Sequence, residues 1–175
     1  MKRLIILGAG GYARTICDIA TQTEKYDEVL YLDDNKKSSE IIGKCADFEN
    51  FISDDTEMYP AIGDNGARMK LIKLLKEKNA NIATFIHPTA YVSPTAVIKE
   101  GAVVLPNAVV NTGCVVCEGV IVNCGAIVDH DCTIEEGVHL CPGAVVKPLN
   151  VVPAGTKLES NAVIYTNISN NTNRR

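Results

Sequence analysis

The chain lacks a basic excess: 17 Lys and Arg stand against 21 Asp and Glu, giving a net charge of -4, and the basic runs are short. That balance speaks against nucleic acid or a membrane surface as partner, while leaving room for a local basic pocket for phosphate. Also missing is any apolar run long enough to span a bilayer, and the short apolar run in MKRLIILGAGG is too brief for a signal peptide. The expected location is therefore the cytoplasm. Nor is there a disulfide framework. The seven cysteines, at 17, 45, 114, 117, 124, 132 and 141, are odd in number and without paired spacing, so reduced thiols are expected. What is present is an ordinary soluble composition, 175 residues with 46% hydrophobic and 22% charged, enough to bury a core in one domain or two small ones.

The chain changes character near residue 85. Before it, RLIIL reads as a strand, GAGG as a loop, and YARTICDIA as a helix with Ala13, Ile16, Cys17, Ile19 and Ala20 on one face. VLYLDD reads as a second strand, followed by a polar stretch, and YPAIGDN as a third strand and turn. ARMKLIKLLKEKN closes this part as a helix with Met69, Ile72 and Leu75 on its inner side. Alternation of strand and helix predicts a small parallel α/β domain over residues 1–84.

From Ile86 a period of six takes over. Every sixth residue from Ile86 to Ile164 is aliphatic, and the residue four places after each is mostly small, as in Ala90, Ala96, Ala102, Ala108, Cys114, Ala126, Cys132 and Ala144. Neither a helix nor a simple alternating strand has that period; a hexapeptide β-helix does, with three hexads to a triangular coil. The coils are expected over 85–166, with a polar tail at 167–175. Residues 18 apart become vertical neighbours at about 4.8 Å. Cys114 and Cys132 then share the inward small-residue column, and Cys114 and Cys117 occupy different hexad places, so packing rather than zinc is the expected role and no metal site is predicted.

The same arithmetic bears on VDHDCTIEEGVHL, residues 128–140. His130 is third in its hexad, whereas His139 is last in the next, half a coil further round. Asn123 lies two residues short of a full coil from His139, so those two should be neighbours, away from His130 of the same chain. One site using all three needs two chains, and three-sided solenoids pack as cyclic trimers. Such a trimer would set His130 of one chain against Asn123 and His139 of the next. His87 has Asn123's hexad place two coils earlier and reads as structural.

The opening LGAGGYA, LDDNK, the AIGDN turn, IHPTAYVSPTA and the VDHD and VHL pair together resemble the hexapeptide-repeat sugar acetyltransferases with an N-terminal nucleotide-sugar domain, a group including bacillosamine and perosamine N-acetyltransferases and sialic-acid O-acetyltransferases. The resemblance implies a Rossmann-like N-terminal domain, a left-handed parallel β-helix and acetyl-CoA as co-substrate. It implies His130 as general base oriented by Asp131, with Asn123, His139 and Gly143 at the acetyl-CoA and acceptor site between subunits. It also implies a nucleotide-linked sugar held by Gly8, Gly10, Gly11, Tyr12, Asp33, Asp34, Lys36 and Gly63. The chemistry fits independently, since a neutral imidazole with an ordinary pKa of about 6.5 can take the proton that an amine loses when it attacks a thioester.

Taken alone, Gly8, Gly10 and Ala13 satisfy G-x-G-x-x-A, and Asp33 follows where a ribose-binding carboxylate belongs. That pattern alone suggests a dinucleotide, but the space before the coils holds only one mononucleotide-binding half, and no dehydrogenase domain follows. A glycine turn required only for tight strand-to-helix packing is the plainer alternative. Two other functions stay open on the residues: O-acetylation of a sugar or sialic acid, for which the same base would serve, and a non-catalytic trimeric protein that binds nucleotide sugar.

Overall fold

The structure is a computed structural model and describes residues 1–35 and 38–165. Lys36 and the 167–175 tail lie outside the described residues. The first part is a parallel sheet built from β1 (Arg3–Leu7), β2 (Glu28–Leu32), β3 (Ile41–Gly43), β4 (Thr56–Pro60) and β5 (Asn81–Ile82), in the order β3-β2-β1-β4-β5. Helix α1 (Gly11–Gln22) follows β1, and α2 (Asn65–Glu77) follows β4. Burial on both faces explains the continuous apolar run of β1, in which Leu4, Ile5, Ile6 and Leu7 are all fully buried. The polar stretch after the second strand contains more than a loop: β3 and a 3-10 helix over Cys45–Phe51 lie within it. Both are too short, and too polar between their anchors Ile41 and Phe48, for a periodic signal. The third strand also begins at Thr56, ahead of the Tyr59 expected to open it.

The remainder is a three-faced coil of two-residue strands, from Phe85–Ile86 to Val163–Ile164, stacked as three parallel sheets. Pairing joins residues 18 apart, as in Val109 with Ile127 and Val115 with Thr133. The inward column from Val104 through Val152 is buried together with Ala102, Ala108, Cys114, Ala126, Cys132 and Ala144, and at the open ends Val92, Ile98, Leu158 and Ile164 are partly buried. Corners are made by a second column. Positive φ recurs every sixth residue from Gly101 to Asn161, filled by seven glycines, two asparagines, Asp131 and Leu149. A left-handed corner suits Gly and tolerates Asn and Asp, but Leu149 bears a cost of roughly 1–2 kcal/mol.

Each face meets a different environment. The outward residues Phe85, Val103 and Ile121 on the first face are buried in one cluster with Leu4, Ile6, Ile16 and Tyr59, so α1 and the sheet rest directly on the coil. On the other two faces the outward column is mostly apolar and open to solvent in places: Tyr91 is 54% exposed, Ile127 39% and Val163 36% on one, Val97 51% and Val151 60% on the other, where Thr133 stands between Val115 and Val151. Helix α2 packs on the corner column Gly101, Gly119 and Gly137, where a Cβ would meet Ile72 or Met69 at 3.2 Å or closer. Glycine is required there for the close approach as well as for the φ. Met69 thus meets the coil corners while also packing against the core of the first sheet, and the helix's inner stripe also carries Arg68, which is fully buried.

Candidate active site

His130 and Asp131 occupy the corner between Ile127–Val128 and Thr133–Ile134, with the two mostly apolar outward columns on either side. Asp131 is the left-handed corner residue, φ 56°, and its carboxylate Oδ2 lies 2.8 Å from His130 Nδ1. A carboxylate only accepts, so the ring proton sits on Nδ1 and the Nε2 lone pair is free. The His130 backbone N–H donates to Asp129 Oδ1 at 2.8 Å, and its carbonyl accepts from Leu149 N at 3.1 Å, so the corner is tied within its own hexad and to the coil above. Below Asp131 lies Gly113, where a Cβ would overlap Asp131 Oδ1. The small corner leaves the carboxylate the space it needs beside the imidazole. Both side chains are about half exposed, at 49% and 53%.

Asn123 and His139 meet as the stacking arithmetic requires: Asn123 Nδ2 is 3.0 Å from His139 Nε2. They belong to the face that carries the first domain, since His139 pairs in register with Ile121 below and Lys157 above. Burial first, then the charges of Arg68 and Lys157, push the His139 imidazole down to about 4, with Glu159 opposing. Gly143 stands at a left-handed corner, φ 70°, one coil above Gly125, and its N–H donates to Cys124 O at 3.0 Å. Its Cβ would overlap the Asn161 amide oxygen. His87 is buried, with Nδ1 2.9 Å from Thr89 Oγ1, in keeping with a structural role.

The sheet residues gather at the carboxyl ends of β1, β2 and β4, the edge where parallel α/β sheets bind ligands. Gly8 has φ +96° and donates to Leu32 O at 2.7 Å; Gly10 caps α1 and Gly11 begins it. Asp33 Oδ2 accepts from Ala9 N at 2.7 Å, and Asp34 Oδ1 from Cys45 N at 3.0 Å. The two aspartates line a cleft of about 700 Å³ with Asn35, Ile41, Lys44 and Asp47. Tyr12 turns inward instead, packing on the buried cluster with its hydroxyl 2.7 Å from that of Tyr59. Burial, then Tyr59, holds its phenol above the ordinary range. Gly63 lines a separate cleft of about 550 Å³ between the start of α2 and the coil, with Asp64, Asn65, Gly66, Gly155 and Lys157. Among the described residues no group of three or more His, Cys, Asp or Glu is placed to hold a metal ion, and no helix is long and apolar enough to cross a membrane.

Arg68 is the residue of this region that the sequence reading passed over. It donates to the carbonyls of Gly119 (2.8 Å), Gly137 (2.9 Å), Ile62 (3.1 Å) and Gly63 (3.3 Å), and to Asn65 Oδ1 (2.9 Å). It therefore joins the Gly63 turn to two coil corners, one of them two residues before His139. A signal was available, because 68, 72 and 75 follow helical spacing and put the arginine on the buried stripe.

Fold and geometry together define a hexapeptide-repeat coil joined to a parallel α/β unit, with a histidine–carboxylate pair on an open corner. Residues 3–75 match the PglD N-terminal domain. Over 112 residues, 60% of the chain, it is 30% identical to UDP-N-acetylbacillosamine N-acetyltransferase of Bacillus subtilis (strain 168), and the match spans about half of that relative's length, 52%. The acetyltransferase domain of PglB from Neisseria gonorrhoeae FA1090 superposes with a TM-score of 0.90 at 33% identity, covering 93% of this chain and 82% of the other. The same domain has also been solved with acetyl coenzyme A, at 31% identity, a TM-score of 0.80, and coverage of 93% and 84%. PerB from Caulobacter crescentus, solved with CoA and GDP-perosamine, shares the fold at 24% identity, with a TM-score of 0.81 and coverage of 94% and 89%. The chain belongs to the family of the PglB acetyltransferase domain.

Proposed function

We propose that this protein is an acetyl-CoA-dependent N-acetyltransferase acting on a nucleotide-linked amino sugar of the UDP-4-amino-sugar type, working as a cytoplasmic homotrimer. The observation that carries the reading is the His130–Asp131 pair, whose Nδ1 contact at 2.8 Å leaves Nε2 free to accept a proton on an exposed corner. In the reaction the sugar amine attacks the thioester carbonyl and gives a proton to His130 Nε2. The new C–N bond forms, the C–S bond breaks, and the proton passes to the departing CoA sulfur. Asp131 supports the imidazolium between the two transfers.

The uncovered columns support the trimer. Tyr91, Ile127 and Val163 on one face and Val97 and Val151 on the next flank the His130 corner, while the remaining face is covered by the chain's own α/β unit. Closing those columns against neighbours would bring His130 of one chain to Asn123, His139 and Gly143 of another. The reading takes residues 1–84 as a Rossmann-like nucleotide-sugar domain, with Gly8, Gly10, Gly11, Asp33, Asp34, Lys36 and Gly63 toward the substrate and Tyr12 packed behind them against Tyr59. It takes residues 85–166 as the left-handed acyltransferase coil.

Ligand-dependent melting tests the reading. Acetyl-CoA or UDP at a hundredfold excess over its dissociation constant stabilises by about 2.7 kcal/mol, raising the Tm by roughly 5–10 °C for a chain of this size, while NAD leaves it unchanged. A shift with NAD and none with acetyl-CoA or UDP would overturn it.

A further inference from the structure

The Asn123 and His139 side chains form one polar pair, yet their hydrogen bonds assign them different roles. Asn123 Oδ1 accepts the Cys124 backbone N–H at 2.8 Å, which fixes the orientation of the carboxamide. Its Nδ2 therefore faces His139 Nε2 at 3.0 Å. An amide nitrogen only donates, so Nε2 is the acceptor and bears no proton, and the neutral ring carries its proton on Nδ1. That Nδ1 is sealed from solvent and has no partner among the described residues. One ring nitrogen is thus committed to Asn123 and the other is closed to any ligand, whereas Asn123 is partly exposed and has a second Nδ2–H to offer.

We infer that His139 is a positioning residue that acts through Asn123: a neutral acceptor that turns the carboxamide so that its second N–H can donate to a carbonyl or hydroxyl oxygen of the bound substrates. The identity of those substrates rests on the acetyl-transfer reading; the assignment of the ring does not. The two cations facing the ring act in the same direction. Arg68 on α2, held by the Gly137 carbonyl, and Lys157 on the next coil both oppose a third positive charge, and Glu159 favours it more weakly. With the imidazole at about 4, the ring stays neutral throughout the range in which an ordinary histidine would charge.

Long-range proton–nitrogen NMR of the nitrogen-labelled, unliganded protein tests this, with His87→Gln, His130→Gln and His139→Gln assigning the three rings. The expected His139 signature is the Nδ1–H tautomer, unchanged from about pH 8 to about pH 5. In Asn123→Asp the carboxylate can only accept, so the ring should switch to Nε2–H and its midpoint should rise. In assays, His139→Gln keeps an acceptor for Asn123 and should hold kcat/KM within about threefold, whereas His139→Leu should lose about tenfold with an unaltered pH profile. An Nε2–H tautomer in the resting protein, titration with an ordinary histidine midpoint, or a Gln variant as impaired as Leu would each overturn the inference. If the wild type acetylates no amino sugar, the functional reading fails while the NMR result still decides the role of the ring.

Discussion

Replacing His130 by alanine should lower turnover by roughly 10² to 10⁴ while leaving nucleotide affinity unchanged. The expectation rests on the division of labour in the fold. The Asp33 and Asp34 cleft lies at the sheet edge, whereas His130 stands on a coil corner between two other faces. A carboxylate is a weaker base than an imidazole, so neither Asp129 nor Asp131, the acidic neighbours on that corner, replaces the lost ring. Asp131→Asn should cost less and shift the pH–rate profile, since the amide can still meet Nδ1 but no longer stabilises the imidazolium. Steady-state kinetics together with nucleotide titration would separate the effects. An alanine variant within about tenfold of wild type would remove His130 from the proton transfer.

Arg68→Met should destabilise the fold by about 3–5 kcal/mol, read as a lower urea midpoint at constant slope. The side chain is fully buried and meets carbonyl and amide oxygens alone, so its charge is spread over five hydrogen bonds without a carboxylate. Burial lowers the arginine from its ordinary value, with Tyr59, Tyr12 and Asp64 opposing. Methionine preserves much of the volume but strands the Gly119 and Gly137 carbonyls, each costing about 1–3 kcal/mol when buried without a donor. Arg68→Lys, able to reach some of these oxygens, should fall between. A methionine variant within about 1 kcal/mol of wild type would mean that the α2–coil contact does not depend on the arginine.

The coil was legible because each hexad position repeats one packing requirement. An inward aliphatic and a small corner neighbour recur with every turn, and the meeting of Asn123 with His139 follows from counting in eighteens. The left-handed corner column was harder to see, since Gly, Asn, Asp131 and Leu149 all fill it and a φ angle has no single residue signature. Sequence could not separate Ile121, buried under the α/β unit, from Ile127, which is open, because outward aliphatics look alike until the neighbouring element is placed. Arg68 was hidden by a general prior that arginines lie outside. The cleft beside Asp33 is completed by Ile41, Lys44 and Asp47, from short elements with no periodic pattern.

The central claim is that His130 of one chain works with Asn123 of another in a shared acetyl-transfer site. Mixing inactive His130→Ala chains with inactive Asn123→Ala chains, and measuring acetyl transfer after verified subunit exchange, tests it most directly. On this account, reassembled trimers would contain interfaces that unite an intact His130 with an intact Asn123, so activity should return to a fraction of wild type set by the mixing ratio. Exchange without any recovery, from parents that each bind nucleotide normally, would contradict a site built between subunits.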